Sequence, residues 1–267
     1  MSSPPTPTSL RLRIAWVQPG PTTAATALAF TGFGHRLDPW KRLRPPGWRL
    51  GVVEFPVGTP PSSVWEPAAL ARRVASAWSE APRRALLAFS FGAAGATAVA
   101  EVLAAGEAGP APDFAAYVAP VQWARAPWSL LRAVPRGSRL GLLRGMANGS
   151  ARVLPLIGKL TGSTVNQFVG VVERYVGWDF VAQYLPYIDW IDSPARTLAK
   201  WESHPWPSLL VGGDADQVIP AEGMRSRAGE LVRVEYAEVA STHFNALDRA
   251  RELIVNRLPG AADAGQT

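Results

Sequence analysis

Three kinds of side chain in this sequence have the spacing to form a covalent-catalysis relay. Ser90 stands in Ala88-Phe89-Ser90-Phe91-Gly92, with Ala93, Ala94 and Gly95 next. A serine on a tight strand-to-helix turn needs small neighbours two places before and after it, because strand and helix backbones pass close together there. Such a turn lifts the hydroxyl out of a sheet and sets it at a helix N-terminus, where backbone N–H groups and the dipole favour developing negative charge. A carboxylate loop, Gly213-Asp214-Ala215-Asp216-Gln217-Val218-Ile219-Pro220, follows an apolar run ending at Val211. His243, one of only three histidines, lies in Ser241-Thr242-His243-Phe244-Asn245. A serine hydroxyl is a poor nucleophile at its own pKa and needs an imidazole to take its proton. The imidazole in turn needs a carboxylate to fix its tautomer and stabilise its charged form.

The surrounding pattern alternates short β-rich runs with helical ones, the signature of an α/β sheet rather than a bundle or a sandwich. Strands are expected at Leu10 to Val17, Ala27 to Thr31, Leu50 to Phe55, Leu86 to Phe89, Phe114 to Val118, Ser208 to Val211 and Val232 to Tyr236. Helices are expected at Pro67 to Ser79, where Leu70, Val74 and Trp78 recur at spacings of four, at Phe91 to Ala105 closed by Gly106, and at Ala246 to Leu258. The carboxylate loop and the histidine each follow a strand, where open α/β sheets carry functional groups.

Of the 267 residues, 48% are hydrophobic, enough to bury one sizeable core, and Lys plus Arg number 27 against 21 Asp plus Glu, a formal charge of +6. Excess positive charge biases partners toward anions without naming one. The chain has no cysteine, which excludes disulfides, thiolate metal sites and cysteine nucleophiles. Residues 1–8 and 259–267 are small and polar and read as disordered tails. With no secretory signal at the start and an apolar stretch, Ala85 to Val102, that is short and interrupted by Ser90, Gly92, Gly95 and Thr97, a cytoplasmic protein without a membrane span is expected.

On these residues the sequence resembles the α/β-hydrolase fold superfamily over nearly all of 9–258. The order Ser90, Asp216, His243 matches that family's nucleophile, acid and base. Its Gly-x-x-Asp-x-x-x-Pro loop is matched at Gly213, Asp216 and Pro220, which prefers Asp216 over Asp214 as the acid. Phe30-Thr31-Gly32-Phe33-Gly34 sits where the family has its His-Gly oxyanion loop, and Glu54-Phe55-Pro56-Val57-Gly58 where it commonly has an Asp-x-Pro-Gly segment. Thr31 replaces the usual histidine and Ala88 the usual glycine; neither replacement removes a catalytic group. The resemblance implies a mostly parallel central sheet flanked by helices, with 9–120 and 202–258 as its core, and an oxyanion held by the backbone N–H groups of Phe33 and Phe91.

Between Pro120 and Ser208 no strand is expected, so 121–201 reads as a helical cap inserted over the serine. Its helical patterns include Val165, Phe168, Val172 and Tyr175, and a helix start is signalled at Asp192-Ser193-Pro194. It is rich in aromatic residues, most of them packing, with Trp123 and Trp178 as candidate substrate contacts beside Gly32 and His35. From Phe114 through Val172 there is no acidic residue, while Arg125, Arg132, Arg136, Arg139, Arg144, Arg152 and Lys159 are present. A solvated basic face is the default for such a run and an anionic partner the sharper alternative. Asp113 and Asp189 read as surface or capping residues, and His204 as structural. The expectation is a serine hydrolase acting on an ester or thioester with an apolar acyl group. Related alternatives are a thioesterase or methyl esterase acting on chains tethered to an acyl-carrier protein or to CoA, and a noncatalytic binding protein that keeps the fold. No cofactor, metal or nucleic acid is expected.

Overall fold

Strands that are apolar on both faces need helices over both, and four such runs build the middle of a parallel sheet here. The computed structural model describes residues 13–32, 37–54, 66–124, 128–145 and 177–260. Its seven strands are β1 (Arg13–Gln18), β2 (Ala25–Phe30), β3 (Trp48–Glu54), β4 (Arg84–Phe89), β5 (Phe114–Val118), β6 (Ser208–Gly213) and β7 (Val234–Val239), in the spatial order β1-β3-β2-β4-β5-β6-β7. Only β1 runs antiparallel, with Arg13 opposite Glu54, and every other neighbouring pair is parallel. The edges show it in their burial: β5 and β6 are buried at every residue, whereas β1 is partly exposed throughout.

The helices are α1 (Asp38–Lys41), α2 (Pro67–Ala77), α3 (Gly92–Ala104), α4 (Trp128–Ala133), α5 (Trp178–Tyr184), α6 (Pro194–Ser203), α7 (Ala221–Ala228) and α8 (Ala246–Arg257). Pro67 opens α2 at a position whose N–H is unpaired in any helix, and Leu70 and Val74 point into the core, each burial being worth about 2 kcal/mol. Gly106, at φ +73°, ends α3 as expected of a glycine beyond a C-cap. In α6, Ser193 accepts a hydrogen bond from the Arg196 backbone N–H at 3.4 Å, the N-cap signalled in the sequence.

α3 is nearly all Gly, Ala and Val, and its first turns are buried all round. The reason is distance. A Cβ on Gly92 would lie 2.2 Å from the Phe30 carbonyl oxygen and 2.6 Å from that of Thr31, so the start of α3 runs against the end of β2 with no room for a side chain. β3 lies on one side of β2 and β4 on the other, so the strand order reverses at β2, the kind of place where open α/β sheets bind ligands at the C-terminal ends of their strands.

Among the described residues every regular element between β5 and β6 is helical, including 3₁₀ turns at Val121–Trp123, Arg136–Ser138 and Leu185–Trp190. The helical pattern expected around Val165 to Tyr175 lies outside the described residues. Four of the arginines expected on a basic face here pair with acids from later in the chain. Arg136 and Arg139 both reach Asp189 at 2.8 Å, Arg132 lies 3.9 Å from Asp192, and Arg144 lies 3.6 Å from Asp179. Arg139 is buried and also donates to the carbonyls of Val134 and Leu185, at 3.2 and 3.5 Å. Asp189, exposed as expected, is therefore also a pin between segments. Burial alone would raise its carboxyl pKa, but hydrogen bonds from Arg139 and Arg136 outweigh that and hold it below the ordinary carboxylate value. Arg125, Arg152 and Lys159 lie outside the described residues. No described helix is long and apolar enough to cross a membrane.

Candidate active site

Ser90 sits between β4 and α3 with φ +51°, a left-handed conformation that costs a residue with a side chain roughly 1–2 kcal/mol. Three backbone hydrogen bonds hold it there. Its N–H donates to Val118 at 2.9 Å, and its carbonyl accepts from Ala93 and Val121, both at 3.1 Å. The strain thus comes from a backbone tied at once to the next strand, to its own helix and to the turn after β5.

The Ser90 hydroxyl lies 2.9 Å from Nε2 of His243, and Nδ1 of His243 lies 2.8 Å from Oδ2 of Asp216. The other carboxylate oxygen of Asp216 accepts from the backbone N–H groups of Val218, at 2.9 Å, and Ile219, at 2.8 Å. With the carboxylate held, Nδ1–H is the donor to it, which leaves Nε2 as an acceptor facing the serine hydroxyl. Phe89 stacks on the His243 ring with centroids 5.4 Å apart, and Phe244 meets it edge-on at 5.9 Å. All three polar side chains are buried.

The two loop carboxylates point in different directions. Oδ1 of Asp214 accepts from the backbone N–H of Ser241 at 2.9 Å, so it braces the histidine loop, while Asp216 faces the imidazole.

Phe91 is the N-cap of α3, one residue beyond the serine. Its ring packs edge-on against Tyr184 at 5.5 Å and Tyr187 at 6.2 Å, and Tyr187 in turn meets Trp190 at 5.2 Å. Burial, and then the neighbouring Tyr184, push the Tyr187 hydroxyl pKa well above the usual phenol value. This aromatic group next to the serine was not singled out from the sequence, where Tyr184 and Tyr187 are two of many aromatics. Their spacing of three on a helical stretch is the one signal that they share a face.

Of the other sequence candidates, Gly32 is buried just beyond β2. Phe33 and His35 lie outside the described residues, as do Phe55 to Gly58. The Trp123 ring is buried 5.6 Å from that of Trp201, and a Cβ on Gly223 would lie 3.0 Å from it, so it packs between α6 and α7. Trp178 is the first residue of α5 and half-buried. No group of three or more His, Asp or Glu among the described residues is placed to hold a metal ion.

No protein-family model matches the chain. No curated protein matches it either. Solved structures do. A carboxylesterase study of the thaumarchaeon Nitrososphaera gargenis supplies one, with a TM-score of 0.61, 13% identity and 97% of each chain covered. An α/β hydrolase from Sphaerobacter thermophilus has a TM-score of 0.61 and 19% identity over 94% of this chain and 98% of that one. The thioesterase domain from the curacin biosynthetic pathway has a TM-score of 0.56 and 14% identity over 92% and 98%. At such identities the likeness is one of fold, and the fold is that of the α/β hydrolases.

Proposed function

We propose that the chain is a serine hydrolase that cleaves a carboxylic ester or thioester with an apolar acyl group. The relay of Ser90, His243 and Asp216, with contacts of 2.9 and 2.8 Å, is the observation that carries this reading. As the Ser90 hydroxyl attacks the carbonyl carbon, its proton passes to Nε2 of His243, and the imidazolium is stabilised by the Asp216 carboxylate at Nδ1. The carbonyl oxygen becomes an oxyanion, which the backbone N–H groups of Phe91 and Phe33 are placed by sequence to receive. His243 then returns the proton to the departing alcohol or thiol, leaving an acyl-serine. A water, deprotonated by the same imidazole, attacks the acyl-serine and releases the acid.

The insertion between β5 and β6 serves as the cap, and the ring group of Phe91, Tyr184 and Tyr187 supports an apolar acyl pocket beside the serine. Four of the arginines that suggested an anionic carrier, Arg132, Arg136, Arg139 and Arg144, are engaged in ion pairs within the chain. No described feature therefore favours a carrier-protein substrate over a small ester.

Labelling with a fluorophosphonate, which reacts only with an activated serine, tests the reading. Wild-type protein should be labelled at Ser90, and turnover of p-nitrophenyl esters of graded chain length should rise with acyl length before a limit. Absence of both label and turnover would leave the noncatalytic binding protein as the reading to adopt.

A further inference from the structure

We propose that Asp214 is a positioning residue whose carboxylate sets the register between the loop that carries Asp216 and the loop that carries His243. The proposal rests on the relay described above, but its central claim is about geometry. The two loops, one after β6 and one after β7, are joined by three hydrogen bonds at successive residues. The Asp214 N–H donates to the Val239 carbonyl at 3.1 Å, the Ser241 N–H donates to Oδ1 of Asp214 at 2.9 Å, and the Ala215 N–H donates to the Ser241 carbonyl at 3.1 Å. The middle bond is the only one of the three made by a side chain, so it is the one that residue choice controls.

The fit between the loops is tight. A Cβ on Gly213 would lie 2.6 Å from the Ser241 hydroxyl oxygen, 2.8 Å from its carbonyl oxygen and 3.2 Å from Cβ of Asp216. Ser241 is itself buried, two residues before His243. A shift of the Ser241 backbone is therefore passed directly to the imidazole. The contact between Nδ1 and Asp216 is 2.8 Å long, and a hydrogen bond weakens steeply with misalignment. Without the Asp214 acceptor the Ser241 N–H loses its partner on the acid loop, and the two loops keep only bonds that a small twist can lengthen. Asp214 touches no reacting atom; it acts on the rate through the orientation of His243.

The experiment compares Asp214→Ala with Asp214→Asn, because asparagine keeps a carbonyl oxygen where Oδ1 now accepts. For each variant, kcat and KM are measured on a p-nitrophenyl ester. Proton NMR follows the low-field resonance of the His243 Nδ1–H, and amide exchange is read at Ser241. Asp214→Ala should lower kcat about tenfold with KM unchanged, the scale of one hydrogen bond to a charged group. It should also broaden the low-field resonance and speed exchange at Ser241. Asp214→Asn should restore all three toward wild type, with kcat within about threefold. Should Asp214→Ala not fold, Asp214→Ser takes its place, since a serine suits the turn but is too short to reach Ser241. A merely turn-forming role would lower the melting temperature while leaving kcat, the resonance and Ser241 exchange as in wild type, and that result overturns the proposal. So does an Asp214→Asn variant as impaired as Asp214→Ala. If wild type shows no Ser90-dependent turnover, the hydrolase reading fails, and the resonance and the exchange still decide the role of Asp214.

Discussion

The Ser90 hydroxyl, the His243 imidazole and the Asp216 carboxylate are joined by two hydrogen bonds, and the proposed relay requires all three, because each supplies what the previous one lacks. Ser90→Ala and His243→Ala should each lower kcat by a similar factor, on the order of 10⁶, and the double variant should be no worse than either. Asp216→Asn should lower kcat less, by a factor on the order of 10⁴. The side-chain oxygen of an asparagine still accepts from Val218 and Ile219, so its amide NH₂ is turned toward Nδ1. A donor there forces the proton onto Nε2, the wrong tautomer for taking one from Ser90. Steady-state rates on one ester check the series. The opposite order for the two aspartates, Asp214→Asn damaging and Asp216→Asn harmless, would make Asp214 the acid and overturn the assignment of Asp216.

At the scale of elements, two contacts set the shape around the serine. The first is the approach of α3 to β2 at Gly92, where an added Cβ meets backbone oxygen rather than a side chain that can turn away. Gly92→Ala should therefore destabilise the fold by more than about 2 kcal/mol, read as a lowered urea midpoint, and should slow Ser90 labelling in whatever protein remains folded. An unchanged midpoint would mean that β2 and α3 can separate at no cost. The second contact is the pin at Asp189, which ties the segment after α4 to the 3₁₀ stretch that carries Tyr187. Arg139→Ala removes a buried guanidinium and leaves the Val134 and Leu185 carbonyls without it. Amide exchange should accelerate over 128–145 and 177–190 while the sheet stays protected, with a local cost of about 2 kcal/mol. Uniform loss of protection across the sheet would instead make Arg139 part of the global core.

For the molecule as a whole, what was legible in the sequence follows from what is local. Parallel strands covered on both faces read as apolar runs, and Phe114 to Val118 was found at its expected limits. The edges were not so clear: the strand expected at Val232 to Tyr236 is Val234–Val239, because its span is set by pairing of Val234 with Ser208, which leaves Val232 exposed. The serine turn was legible because Ala88, Ser90 and Gly92 serve one tight geometry. The pairing of Arg136 and Arg139 with Asp189 was not, since it joins residues some fifty places apart. His204 shows the same division, and its burial makes the stability of the fold sensitive to acid. It is fully buried at the end of α6, stacked on Trp206 at 4.8 Å, and neither ring nitrogen has a hydrogen-bond partner among the described residues. Burial, and then the charge of Lys200, lower its pKa from 6.5 to about 4. The unfolded chain therefore binds a proton that the folded chain refuses between those two values. The resulting stability is present in full above pH 6.5 and is lost as pH falls toward 4, in all about 3 kcal/mol. Asp189, with its carboxyl pKa lowered, has the same sign but a lower window: its contribution persists until pH falls through the carboxylate range. His204→Phe keeps an aromatic ring against Trp206 and removes the titration. Urea unfolding at a series of pH values should show wild type losing stability between pH 6.5 and 4 while the variant stays nearly level, and the two should decline alike below that. Equal slopes through the upper window would mean that His204 is already free to take a proton in the folded state.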